Sequence, residues 1–142
     1  MAGLIEKLEK QHYGIHKIII VNTEAEYINQ EDLLRKFEKL EIHNIKKEQF
    51  NHGLTRNYGA SFSKADYIVF MTQDAVPADG NLIGNMLKYM GKEKTATVYG
   101  RQLPNKDCNQ LEKYTRSFNY GEKSKVKSIK DLDKMGIKNS KS

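Results

Sequence analysis

A single carboxylate, Asp74, stands just beyond five large residues, Tyr67–Met71 (YIVFM), in the run Thr72-Gln73-Asp74-Ala75-Val76-Pro77. The five read as a buried strand, and a carboxylate at its end is poorly suited to a core. In an open α/β sheet, ligands sit in the crevice beyond the carboxyl ends of the strands. Two other expected strands also end in polar clusters, Asn22-Thr23-Glu24 and Arg101-Gln102. Together the three ends offer amides and hydroxyls to a base or ribose, a carboxylate to a metal, and a guanidinium to a phosphate. Arg56 and Asn57 fall in the first turns of an expected helix, where a helix N-terminus favours phosphate. Ordinary turn chemistry accounts for any one cluster. Three on one sheet edge, with Arg56, favour a ligand site.

A lone carboxylate does not cage a metal. Mg²⁺ commonly takes one or two protein carboxylates and completes its shell with phosphates and water, so Asp74 fits a cation on a diphosphate. His12, His16, His43 and His52 have no paired ligand spacing, although His52 adjoins Gly53 at a helix start. The sequence contains no G-x-G-x-x-G, G-x-x-x-x-G-K-[ST] or G-x-S-x-G pattern, which disfavours dinucleotide, P-loop and serine-hydrolase readings.

These residues need a scaffold. Leu4, Ile5 and Leu8 mark a short amphipathic helix, followed by a strand at His16–Val21. Asn29 caps a second helix with the stripe Leu33, Leu34, Phe37 and Leu40. A short strand is expected at Ile42–Ile45, and a third helix from Asn51 to about Lys64 with Leu54, Tyr58, Phe62 and Ala65 inward. After Tyr67–Met71, Asp79 or Asn81 caps a fourth helix with the stripe Leu82, Ile83, Met86, Leu87 and Met90. A strand at Thr95–Tyr99 and a helix over Asn109–Phe118 follow, and Val126–Met135 gives at most one weak helix. Strands alternating with helices predict an α/β fold: a mostly parallel sheet with helices on both faces and right-handed crossovers. The expected organisation is one folded domain over residues 1–120 and a basic, weakly structured tail over 121–142.

The 142 residues carry a net charge of +6, and the last 22 hold +4 of it: seven lysines against Glu122, Asp131 and Asp133. Such a tail is usually a solvated terminus. Cys108 is the only cysteine, which excludes an internal disulfide and a cysteine-rich zinc site. No secretory pattern opens the chain, and no run of 18 apolar residues occurs. A reducing cytoplasm is the expected compartment.

Four blocks then come in order: Phe50-Asn51-His52-Gly53-Leu54-Thr55-Arg56-Asn57, Val69-Phe70-Met71-Thr72-Gln73-Asp74-Ala75-Val76-Pro77, Tyr99-Gly100-Arg101-Gln102-Leu103-Pro104 and Phe118-Asn119-Tyr120. At this spacing the chain resembles the rhamnosyltransferase-like branch of the family-2 glycosyltransferases, from about Leu4 to Gly136. The resemblance implies a GT-A fold and transfer of a sugar from a nucleotide diphosphate donor to a saccharide or lipid-linked acceptor, assisted by Mg²⁺ or Mn²⁺. It implies Asp74 at the metal, with Glu24, Arg56, Asn57, Gln73, Arg101 and Gln102 at the donor. Rhamnose carried by thymidine diphosphate is the implied donor, and the inner face of the membrane the implied place of work.

Relatives of this branch begin with a strand ending in a Pro-x-Tyr-Asn-like turn and run on into an acceptor-binding half. The resemblance therefore also implies that the chain is truncated at both ends, and no residue is assigned as catalytic base. The strand wanting would lie between His16–Val21 and Tyr67–Met71, which must then pair directly, recruit another chain or stay unpaired. Unpaired apolar edges favour self-association, with little activity expected of the chain alone. Two other functions compete: a non-catalytic nucleotide-sugar-binding module, and a nucleic-acid binder using the lysine tail. The last lacks an aromatic-basic stripe, so no nucleic-acid partner is expected.

Overall fold

The computed structural model describes residues 1–92, 94–104, 107–121 and 123–131. They fall into two compact units, Met1–Gly100 and Arg101–Ser142.

The first unit is built on two parallel strands, β1 (Ile18–Thr23) and β2 (Leu40–Ile45), in register from Ile18 opposite Leu40 to Thr23 opposite Ile45. Alternation along a strand sends successive side chains to opposite faces, and the sequence uses both. Ile18, Ile20, Leu40 and Ile42 face a core of Ile5, Leu33 and Phe37, supplied by α1 (Ala2–Glu9) and by α2 (Gln30–Lys36) with the residue that follows it. Ile5 is 1% exposed and Phe37 2%. The other face carries α3 (His52–Ser61). There a Cβ on Gly59 would stand 3.2 Å from Val21, and His43 stacks on Phe62 at 3.6 Å with Tyr58 edge-on at 6.2 Å. A glycine at 59 lets the helix backbone come down onto the strand. Helices thus cover both faces of a parallel pair, the α/β architecture expected.

The strands differ from expectation in extent and number. β1 starts two residues later than His16, and β2 starts at Leu40 rather than Ile42. Tyr67–Met71 and Thr95–Tyr99 form no strand. A strand exists by virtue of its ladder, and among the described residues β1 and β2 pair only with each other. Of the three outcomes open to Tyr67–Met71, the observed one is that it stays unpaired. Tyr67, Ile68, Val69 and Phe70 are consequently 40–52% exposed, against the buried core strand that their composition predicts. Four stripe positions also differ: Leu34 is 46% exposed, Leu54 67% and Tyr58 43%, and Ala65 is exposed as well. α3 ends at Ser61, short of Lys64.

The helix after this segment, α4 (Leu82–Met90), buries Ile83 and half-buries Leu82, Met86, Leu87 and Met90, as its stripe predicts. Its N-cap Asn81 makes no side-chain cap bond. The buried Gln11 supplies one from 72 residues away: its Oε1 accepts from the Ile83 amide at 3.2 Å, while its Nε2 donates to the carbonyls of Asp79 (2.7 Å) and Lys7 (3.3 Å). Alongside, the His12 amide donates to the Gly80 carbonyl at 2.8 Å. A Cβ on Gly80 would meet the His12 ring at 2.9 Å. The chain beyond Pro77 is thereby fastened to the end of α1.

On the α3 face, Lys17 Nζ lies 2.6 Å from Glu41 Oε2, and His43 Nε2 lies 2.6 Å from Glu41 Oε1. Lys17 first and then His43 hold the Glu41 carboxyl below its ordinary value of 4.5. A depressed carboxyl pKa stabilises the fold above the unfolded value, and the gain is lost as pH falls through the folded value. Glu41→Gln should therefore flatten the fall of the urea midpoint below pH 4.5, relative to the parent chain. Equal slopes would show that the triad contributes nothing.

The second unit contains α5 (Gln110–Asn119), where a helix was expected, and a 3-10 turn at Ile129–Asp131. Asn109 caps α5 by accepting from the Glu112 amide at 2.8 Å. The weak helix expected over Val126–Met135 is limited to that turn as far as Asp131, and its remainder lies outside the described residues. Among the described residues, no helix is long and apolar enough to cross a membrane.

Candidate functional site

Parallel pairing brings the carboxyl ends of β1 and β2 to one edge, with Thr23 opposite Ile45. Past them the chain turns twice, through the 3-10 turns Ala25–Tyr27 and Lys47–Gln49. Between the turns lies a cleft of about 470 Å³ lined by Glu24, Ala25, Asn44 and the segment Ile45–Gln49. Asn44, which lines it, belongs to an amide network. Asn22 Nδ2 donates to Asn44 Oδ1 (3.1 Å) and to the Glu24 carbonyl (3.0 Å). Gln30 and Asn44 exchange two side-chain bonds of 3.0 Å each, and Gln30 also donates to the Ala25 carbonyl. On the other wall, Gln49 Oε1 accepts from the Lys46 amide at 2.9 Å and closes the second turn.

Glu24 lies at the mouth with φ 65° and ψ 101°. A non-glycine residue at positive φ costs on the order of 1–2 kcal/mol, and here the surrounding network enforces it. Glu24, Lys46 and Lys47 line the same cleft, so it offers an acceptor, two cations and an amide. Such a set suits a polar ring or ribose with a nearby anionic group. Glu24→Gly relieves the backbone at this position. We expect it to leave the unfolding midpoint unchanged or raised within about 0.5 kcal/mol, while weakening any ligand held by the carboxylate. A clear loss of stability would refute the strain argument.

The other expected site residues are distributed as follows. Arg56 lies in the second turn of α3, its Nη1 donating to the His52 carbonyl at 2.9 Å. That bond lays the guanidinium along the start of the helix, where Asn51 caps by accepting from the amides of Gly53 (3.0 Å) and Leu54 (3.1 Å). Asn57, next in sequence, is exposed on the same helix. Gln73 and Asp74 are exposed at the tip of a turn closed by the Ala75 amide on the Thr72 carbonyl at 3.1 Å. Pro77, just past it, is buried. Arg101 and Gln102 begin the second unit, and there Gln102 Oε1 accepts from Arg116 Nη1. Of the seven expected residues, Glu24 alone lines the cleft.

The cleft adds residues that the sequence reading passed over, Asn44, Lys46 and Lys47, with Gln30 bonded to Asn44. The signal was available. Asn44-Ile45-Lys46-Lys47 is a polar strand end like the other three; a strand was expected at Ile42–Ile45, but its end was not counted among the polar clusters. Among the described residues, no three His, Cys, Asp or Glu side chains are gathered to hold a metal.

Glycosyl transferase family 2 matches the chain over residues 1–139. The O-antigen chain rhamnosyltransferase RfbN of Salmonella typhimurium is 39% identical over 137 residues, covering 96% of this chain and 43% of the relative. The O-antigen chain rhamnosyltransferase WbaN of Salmonella anatum is 42% identical over 95 residues, covering 66% of this chain and 30% of the relative. The chain thus spans less than half the length of the curated relatives it matches. No solved structure matches. A family match over nearly every residue, joined to a parallel α/β core whose strand ends carry the polar groups, makes this chain a member of glycosyl transferase family 2.

Proposed function

We propose that the chain is the donor-binding part of a rhamnosyltransferase, which moves a sugar from a nucleoside diphosphate to a saccharide acceptor. The observation that carries this reading is the match to relatives named as O-antigen rhamnosyltransferases, one over 96% of the chain and one over 66%. The cleft beyond β1 and β2 supports it, because that is where α/β sheets bind ligands.

In this reading Glu24 accepts from the ribose or base, and the lysines beside it balance the approaching phosphates. Arg56, lying along the start of α3, holds the diphosphate, with Asn57 and Gln73 donating to its oxygens. Arg101 and Gln102 approach the sugar. The donor set around Asp74 suits a divalent cation that takes its remaining ligands from the diphosphate and water, and does not suit an all-protein cage. Mg²⁺ or Mn²⁺, when bound, neutralises charge on the leaving nucleotide. Asp74 holds its place through a turn that Pro77 anchors in the packed interior.

The test is titration of thymidine diphosphate with and without Mg²⁺ or Mn²⁺, followed by an assay for rhamnose transfer. Metal-dependent binding with transfer supports the enzyme. Binding without transfer supports the second reading, a nucleotide-sugar-binding module, and no binding with either metal overturns both. The exposed apolar run Tyr67–Phe70 adds a prediction. The chain should self-associate in size-exclusion chromatography, and the pair Tyr67→Ser and Phe70→Ser should reduce this. A monomer at all concentrations would rule it out.

A further inference from the structure

Side chains from β1, β2 and α2 are joined through one residue, Asn44. Asn22 and Asn44 stand opposite each other in the parallel ladder, and Gln30 opens α2. Asn44 Oδ1 accepts from Asn22 Nδ2 at 3.1 Å and from Gln30 Nε2 at 3.0 Å, and Asn44 Nδ2 donates back to Gln30 Oε1 at 3.0 Å. A side-chain amide nitrogen carries two hydrogens. Asn22 and Gln30 divide theirs alike: one goes to Asn44 and the other to a backbone carbonyl, that of Glu24 at 3.0 Å and that of Ala25 at 3.3 Å. These carbonyls are consecutive, and they lie where the chain leaves the sheet. The Glu24 amide makes a last bond to the Ile45 carbonyl at 3.4 Å, and the 3-10 turn begins at Ala25.

We propose that Asn44 is a positioning residue for Glu24: it holds the backbone there in its left-handed conformation and so fixes where the carboxylate stands on the cleft. The proposal deepens the sugar-nucleotide reading, in which Glu24 accepts from the ribose or base, and rests on it. A non-glycine residue at φ 65° persists only where its surroundings over-determine it. Here the amide of Glu24 is held by Ile45, its carbonyl by Asn22 and the next carbonyl by Gln30. Without Asn44, Asn22 and Gln30 lose their shared acceptor, and their amides turn away from the two carbonyls. Glu24 then relaxes toward the extended region and its carboxylate leaves the cleft. Asn44 is exposed, and Asn22, Glu24 and Gln30 are half-buried. Hydrogen bonds open to water stabilise a fold only modestly, so the network acts on the geometry of one residue more than on the unfolding midpoint.

The experiment combines backbone chemical shifts with titration of thymidine diphosphate and of inorganic pyrophosphate, all on the full chain. In Asn44→Ala the Glu24 shifts should move from left-handed toward extended values, while the amides of Ile18–Val21 keep theirs. Thymidine diphosphate should bind about fivefold more weakly, whereas pyrophosphate, which has no ribose or base, should bind as it does to the parent chain. Glu24→Gln should weaken thymidine diphosphate by a similar factor in the parent chain and add nothing in Asn44→Ala, because two changes that act through one carboxylate are not additive. Gln30→Ala, which cuts the same pair from α2, should act in the same direction on both readouts. Parental Glu24 shifts in both Asn44→Ala and Gln30→Ala overturn the proposal. So does displacement of the Ile18–Val21 amides along with Glu24, which would give Asn44 a purely structural role. Binding by the parent chain with additive losses overturns the proposal alone, whereas no binding of thymidine diphosphate overturns the sugar-nucleotide reading and the proposal together.

Discussion

Asp74→Ala should remove the metal dependence of nucleoside diphosphate binding. With Mg²⁺ present, affinity for thymidine diphosphate should fall to the level the parent chain shows in EDTA. We expect at least a tenfold loss, about 1.4 kcal/mol. The reasoning starts from position. Asp74 is exposed at the tip of a turn closed by the Thr72 carbonyl, and the buried Pro77 follows three residues later. Asp74 is no part of the core of Ile5, Leu33, Phe37 and Leu40, and the unfolding midpoint measured alongside separates loss of the cation from loss of fold. Isothermal titration at matched ionic strength separates the cation bridge from general charge loss. Asp74→Asn keeps the shape and removes the charge, and should behave like alanine. Equal metal dependence in parent and variant would remove Asp74 from the site and leave the Glu24 cleft as a metal-independent nucleoside site.

How far the sequence reveals this molecule depends on whether a residue's role is local or relational. The run His16–Val21 predicted a strand, and a half-buried one forms over Ile18–Thr23, because a β-branched run takes up a ladder where a partner exists. The stripe of α4 was legible because periodicity is carried by the helix itself. Asn29 was read as a cap and accepts from the Asp32 amide, and Asn51 and Asn109, read only as helix starts, cap their helices in the same way. Tyr67–Met71 has the same kind of composition as β1, yet forms no strand. Composition sets the tendency of a segment, and the ladder comes from a neighbour. The site divides in the same way. Glu24, a strand-end acid, was named from the sequence and lines the cleft. Asn44, Lys46 and Gln30 became visible only once the register placed Thr23 beside Ile45. Gln11 gave no signal at all, since its partners lie some seventy residues away.

Gln11 carries the largest stability effect that we expect of a polar residue in this chain. It is 7% exposed and satisfies three backbone groups: the Ile83 amide, and the Asp79 and Lys7 carbonyls. Gln11→Ala leaves the buried Ile83 amide unbonded at the start of α4. A buried polar group left without a partner costs about 1–3 kcal/mol, and with the two carbonyl bonds also lost we expect a total of about 2–3 kcal/mol in urea unfolding. Hydrogen exchange should locate the loss, with protection of the Ile83 amide falling before that of the β1 amides. Gln11→Glu is the sharper variant. Its carboxylate can still accept from Ile83 but cannot donate to Asp79, and it faces two carbonyl oxygens in a buried site. Burial and those carbonyls favour the protonated acid, which donates as the amide does, so the folded pKa rises above the unfolded one. A group whose folded pKa is raised contributes its stability below the unfolded pKa and loses it as pH rises through the folded one. Gln11→Glu should therefore approach the parent chain in acid and fall away toward neutral pH, while Gln11→Ala stays uniformly weak. If both variants keep the parental midpoint at neutral pH, α4 does not depend on α1 for its first turn, and the turn bearing Asp74 is held by Pro77 and its own hydrogen bond.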